Sequence, residues 1–125
     1  MKLSKEKDGF TLIEILIATV IITIASLGVA TLTVGVMRGN SFSKRLTTAT
    51  ALIQDRLEEV KRLGYSNAGT VVGTQSYGTI ANFAGYKRVV SVSNNTPAAN
   101  MKTIDITVYW DADKRSVKAS TILSE

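Results

Sequence analysis

The chain has 125 residues and a net charge of +5, from 15 Lys and Arg against 10 Asp and Glu. It contains neither Cys nor His, which removes disulfides, ordinary zinc sites and every nucleophilic device that needs an imidazole base. An enzyme is not expected. The basic residues run from Lys2 to Lys118 with acids between them, so the charge reads as a solvated mixed surface rather than a nucleic-acid patch.

Three lysines (Lys2, Lys5, Lys7) precede residues 10–37, which read FTLIEILIATVIITIASLGVATLTVGVM and carry one charge, Glu14. As a helix this run rises about 42 Å, more than the roughly 30 Å hydrocarbon core of a bilayer. Apolar residues cover every face of its first half, and the 88 residues after position 37 are too few to surround it. A membrane-embedded helix is the expectation. Its second half is milder, with Thr23, Ser26, Thr31 and Thr33 among small residues that suit helix–helix packing. A cleavable secretory signal is not expected, because the run is too long and the small residue Gly9 lies before it. Arg38, Lys44, Arg45 and Arg56 follow the run, so flanking charge alone leaves orientation undecided. Glu14 near the start of the span has two readings: a carboxylate that snorkels to the headgroups, or one kept for a positive partner on another chain.

Residues 38–63 continue as an amphipathic helix. Phe42, Leu46, Ala49, Ile53, Leu57 and Val60 form its stripe, with Leu52 and Leu63 beside it, and Glu58 and Arg62 spaced to pair. Gly64 is expected to stop it in a left-handed conformation. The segment 64–85 holds five of the nine Gly and reads as an irregular connector with one short strand near Thr70–Gln75. Strands are predicted at Tyr86–Ser93, with Val90 and Val92 on one face, at Thr103–Trp110, and at Ser116–Leu123. In the second, Ile104, Ile106, Val108 and Trp110 point inward; in the third, Val117, Ala119, Thr121 and Leu123 share a side. Asp111-Ala112-Asp113-Lys114 is the turn of a hairpin. Asp111 and Asp113 are read as turn formers, the alternative being calcium ligation. Tyr65, Tyr77, Tyr86 and Tyr109 are assigned to packing.

The string Lys7-Asp8-Gly9-Phe10-Thr11-Leu12-Ile13-Glu14 resembles the processing site of type IV prepilins and type II secretion pseudopilins. The resemblance implies an α+β, pilin-like fold in which a long spine helix lies against a small antiparallel sheet. Residues 1–9 are then a leader cleaved by prepilin peptidase after Gly9. Residues 10–37 are the membrane and filament-core helix, 38–63 its amphipathic continuation, and 64–125 a small β domain. Phe10 becomes the N-methylated terminus, and Glu14 meets the free amine of a neighbour's first residue when subunits assemble. It also implies a cytoplasmic leader, a periplasmic carboxy-terminal domain and a single pass of the bacterial inner membrane before entry into a pilus or pseudopilus. Where many major pilins carry Pro, this chain has Thr31, so any softening of the helix falls to Gly28, Gly35 and Gly39.

The small globular part and the absence of a cysteine pair argue against a major pilin. The run Leu52–Lys61, and the ending of a strand closing in Trp110, a turn and a last strand, resemble PilV-type minor pilins. The resemblance implies a structural subunit that initiates or caps a filament. Its partners are prepilin peptidase, other pilins or pseudopilins, the inner-membrane assembly platform and, before assembly, lipid; no cofactor is expected. Competence- or adhesion-type binding of DNA or surfaces is the alternative, with a major pilin of a thin filament after it. A third reading is a single-pass anchored domain unrelated to filaments, which keeps its leader.

Overall fold

The computed structural model of the chain describes residues 9–125; the leader residues Met1–Asp8, with Lys2, Lys5 and Lys7, lie outside the described residues. The first element, α1, runs Leu12–Asn67, and the chain divides into two units, one ending at Ser41 and the other Phe42–Glu125. In the first unit α1 stays regular through Gly28, Thr31, Gly35 and Gly39. Its hydroxyls are satisfied within the helix itself. Thr19, Thr23, Ser26, Thr31 and Thr33 each donate to a backbone carbonyl one turn earlier, at 2.7–3.0 Å. A polar side chain bonded in this way needs no water, so the helix remains compatible with lipid.

In the second unit the carboxy-terminal half of α1 lies on a four-stranded antiparallel sheet of order β1-β2-β3-β4. The strands are β1 (Gly73–Gln75), β2 (Tyr86–Asn94), β3 (Met101–Trp110) and β4 (Arg115–Ser124). β2 and β3 pair from Tyr86↔Trp110 to Asn94↔Lys102, and β3 and β4 from Met101↔Ser124 to Trp110↔Arg115. The α+β, pilin-like arrangement expected from the sequence is the one observed.

Strict alternation in β3 sends Ile104, Ile106, Val108 and Trp110 into the core, and all four are buried. They meet Ala49, Leu52, Ile53 and Val60 of α1, with Val90, Ala68 and Ile80 completing the cluster. Burying an aliphatic side chain of this size contributes roughly 1.5–3 kcal/mol. Val117, Ala119 and Leu123 of β4 pack against the cluster but are only half-buried.

Four local expectations are corrected. Phe42 and Leu46, at the start of the amphipathic stripe, remain exposed, and Leu52 is the buried residue instead. Gly64 has a positive φ of 72° but an extended ψ of −178°, so it kinks the helix without the left-handed stop expected, and α1 resumes after it to Asn67. The extra turn is pinned from β3, where Lys102 donates to the Tyr65 carbonyl at 2.8 Å and covers the Tyr65 ring. A 3-10 turn, Ala68–Val71, occupies the first half of the expected strand at Thr70–Gln75, leaving Gly73–Gln75 to pair with β2. Finally, Glu58 and Arg62 do not pair; Arg56 bonds Glu59 at 2.6 Å.

A buried arginine joins the layers. Arg88 shares the inner face of β2 with Val90 and is 5% exposed. Its Nε and Nη2 donate to Gln75 Oε1 of β1 at 2.8 and 2.6 Å, and its Nη1 donates to the Leu52 carbonyl of α1 at 2.9 Å. Arg56 of α1 donates to the same Gln75 oxygen at 2.8 Å. Burial, then the like charge of Arg56, pushes the Arg88 guanidinium below its ordinary value, countered by Asp55 and Glu59. One guanidinium thus ties α1, β1 and β2. Arg88→Met keeps the stem and loses the donors, and is expected to destabilise this unit by about 1–3 kcal/mol. Urea unfolding of the detergent-solubilised chain, followed by its single, buried Trp110, checks this. A change below about 0.5 kcal/mol, the range of an ordinary surface substitution, contradicts the tie.

Candidate processing and assembly site

Gly9 and Phe10 lie just before the helix as exposed, non-helical residues, with Phe10 79% exposed. Thr11 is the residue that starts α1. Its carbonyl and its hydroxyl oxygen accept from the Glu14 N–H at 3.1 and 3.3 Å, which satisfies one of the unpaired donors of the first turn. Thr11-Leu12-Ile13-Glu14 is therefore a threonine cap with a carboxylate at the third helical position. This local role was not singled out in the sequence, although its signal, Thr three residues before Glu, is present there. The cap leaves Gly9 and Phe10 outside the helix.

The cap uses the Glu14 backbone and leaves its carboxylate for other work. Among the described residues no cation or hydrogen-bond donor pairs with that carboxylate. Its place in the first turn suits the positive end of the helix dipole. Around these residues the large apolar side chains from Leu12 to Met37 are 47–86% exposed. Leu12–Met37 rises about 39 Å, enough to cross a hydrocarbon core of about 30 Å.

The other residues weighed in the sequence do different work. In the turn between β3 and β4, Asp111, Ala112 and Asp113 all have positive φ, at 58°, 53° and 65°. Asp113 accepts from Lys87 Nζ at 2.6 Å and from the Tyr77 hydroxyl at 3.0 Å, and the Tyr77 oxygen accepts the Asp113 N–H at 3.1 Å. Asp111 faces Arg115 at 3.9 Å. Both carboxylates are directed at cations of the chain, and among the described residues no group of three or more acidic residues gathers as a metal site does. Lys87 also stands over the Tyr109 ring at 4.6 Å, and Tyr86 donates its hydroxyl to the Arg45 carbonyl. These tyrosines pin neighbouring elements through their rings and hydroxyls.

Residues 4–30 match the prokaryotic N-terminal methylation motif. No curated protein and no solved structure matches the chain significantly. The motif spans Gly9, Phe10, Glu14 and about three quarters of the apolar run, and ends before the sheet. It supports a type IV pilin-like precursor, a structural protein anchored in a membrane by its apolar helix.

The charged turn makes a prediction about acid. Hydrogen bonds from Lys87 first, and then from Tyr77, hold the Asp113 carboxyl below its ordinary value. The Ser120 hydroxyl and then Lys118 do the same for Asp105. Both groups bind a proton less readily in the native state, so their stabilisation is complete above about pH 4 and is lost as pH falls through the native values. The urea midpoint of the parent chain should fall between pH 6 and pH 3, and Asp105→Asn with Asp113→Asn should flatten that fall. An equal fall in parent and double variant contradicts the assignment.

Proposed function

We propose that the chain is a minor pilin or pseudopilin, a structural subunit cut by prepilin peptidase between Gly9 and Phe10 and methylated on Phe10. It then helps to initiate or cap a type IV pilus or type II secretion pseudopilus. The observation that carries this reading is the juxtaposition at the start of α1. A Gly-Phe bond stands exposed before a threonine-capped helix, and Glu14 is the single charge in an otherwise apolar run of exposed side chains.

A carboxylate buried among packed helices is costly unless a positive group meets it. Cleavage supplies such a group, the secondary amine of methylated Phe10, on each subunit. The resemblance to prepilins assigns the amine of one copy to the carboxylate of a neighbour. The pairing sets the register between subunits, while the apolar side chains exchange lipid for one another. The small sheet domain and the Leu52–Lys61 segment favour the minor subunit over the major one.

This makes Glu14 an assembly residue rather than a processing residue. Glu14→Gln should leave cleavage at Gly9 intact and lower incorporation into sheared filaments at least about tenfold, the equivalent of roughly 1.4 kcal/mol lost at the pairing site. Immunoblots of membrane and filament fractions read both quantities. Incorporation of Glu14→Gln at the parent level contradicts the pairing.

A further inference from the structure

The second unit holds a cavity of about 580 Å³ among α1, the sheet and the connector. Ala51 of α1 and Ile80, Ala81 and Phe83 of the connector give it apolar walls, while Asp55 and Arg88 bring charge to it. The connector is fixed where it lines this space. The Gly78 N–H donates to the Ala84 carbonyl at 3.0 Å, the Phe83 N–H donates to the Ile80 carbonyl at 3.0 Å, and Ile80 is buried. The volume falls in the range of small-ligand sites, about 300–1,000 Å³.

Arg88 is the unusual part of that lining. Its side chain is almost wholly buried, yet its close acceptors are neutral. Nε and one N–H of Nη2 both go to Gln75 Oε1, at 2.8 and 2.6 Å, and Nη1 donates to the Leu52 carbonyl at 2.9 Å. The carboxylate that reaches it, Asp55, touches Nη1 alone, at 3.4 Å, and is 74% exposed. The second N–H of Nη2 has no acceptor among the described residues. Arg56 brings a like charge to the same Gln75 oxygen and holds Glu59 for itself at 2.6 Å. A guanidinium taken out of water is costly until a carboxylate meets it. The pairing it favours is bidentate, two N–H groups on two oxygens. Asp55 supplies half of that, and from the solvent side.

We infer that this cavity binds a carboxylate carried on an apolar body. Its two oxygens take the Nη1 and Nη2 N–H groups of Arg88 and displace Asp55, and the apolar walls receive the rest of the molecule. Inorganic phosphate is the poorer match. It has no apolar part for those walls, and the Thr79 hydroxyl beside them is already donated to the Ser76 carbonyl at 2.6 Å. Two sources present the required chemistry: a free organic acid, and the carboxy terminus of a peptide that ends in an apolar residue. Every residue of the site belongs to the second unit, so the inference does not rest on the filament reading above.

The test uses the full chain in nanodiscs of zwitterionic lipid, with empty discs as the reference for partitioning into lipid. Saturation-transfer NMR follows titrations of 3-phenylpropanoate, its neutral amide, inorganic phosphate and the tripeptide glycylglycylphenylalanine. The acid should bind saturably at or below about 1 mM. The amide and phosphate should bind at least about tenfold more weakly, because neither fills both the charged and the apolar part of the site. A tripeptide that binds more tightly than the acid assigns the site to a peptide terminus; one that binds more weakly assigns it to a free acid. Arg88 also ties the fold together, so the variants leave it in place. Asp55→Asn removes the competing carboxylate and should tighten binding of the acid at least about threefold. Ala51→Phe fills the cavity and should weaken binding at least about tenfold, with the fold intact by Trp110 fluorescence. No saturable binding up to about 10 mM, equal binding of acid and amide, or parent-level binding by Ala51→Phe overturns the site. Weaker binding by Asp55→Asn overturns the exchange of carboxylates at Arg88.

Discussion

A helix that carries large exposed apolar side chains along about 39 Å cannot remain in water. The large side chains from Leu12 to Met37 are 47–86% exposed. Lipid or other helices of the same kind must cover them. Each feature of the first unit follows from that demand. The hydroxyls of Thr19, Thr23, Ser26, Thr31 and Thr33 are bonded to their own helix, so none asks for water. The first turn is capped by Thr11 without using the Glu14 carboxylate. The one charge left in the run is then a directional element in a surface that otherwise has none.

The second unit solves a different problem with the other end of the same helix. A small domain buries a modest core, and here that core is two facing rows, Ala49, Leu52, Ile53 and Val60 against Ile104, Ile106, Val108 and Trp110. Polar bonds complete what the apolar rows begin. Arg88 connects three elements through Gln75 and the Leu52 carbonyl, Lys102 holds the turn after Gly64, and Lys87 with Tyr77 holds the strained turn at Asp113.

Much of this was legible in the residues. The apolar run, the three long strands and the inward rows of β3 and β4 follow from periodicity, because burial on one face imposes a period of two on a strand. The motif at Gly9, Phe10 and Glu14 was legible for another reason: its recognition depends on local sequence, not on tertiary contacts. What was missed depends on distant partners. Arg88 reads as a surface residue until Gln75 and the Leu52 carbonyl, contributed by other elements, meet it. The expected Glu58–Arg62 pair gave way to Arg56–Glu59 because Arg56 is already held beside Gln75. Periodicity also overstated the buried stripe: Phe42 continues the pattern and lies beside Trp110 and the Arg115 guanidinium, yet stays 40% exposed. Gly64 broke the helix conformation as its chemistry requires, but Lys102 restored a turn beyond it.

The central claim is that the chain matures at the Gly9–Phe10 bond and works through the terminus so created. Intact-mass and amino-terminal analysis of the protein from its own host, with and without active prepilin peptidase, tests it most directly. The account requires a chain that begins at methylated Phe10 when the peptidase is active and at Met1 when it is not. A chain that keeps Met1–Gly9 in the presence of active peptidase contradicts it and removes the amine that Glu14 is assigned to meet.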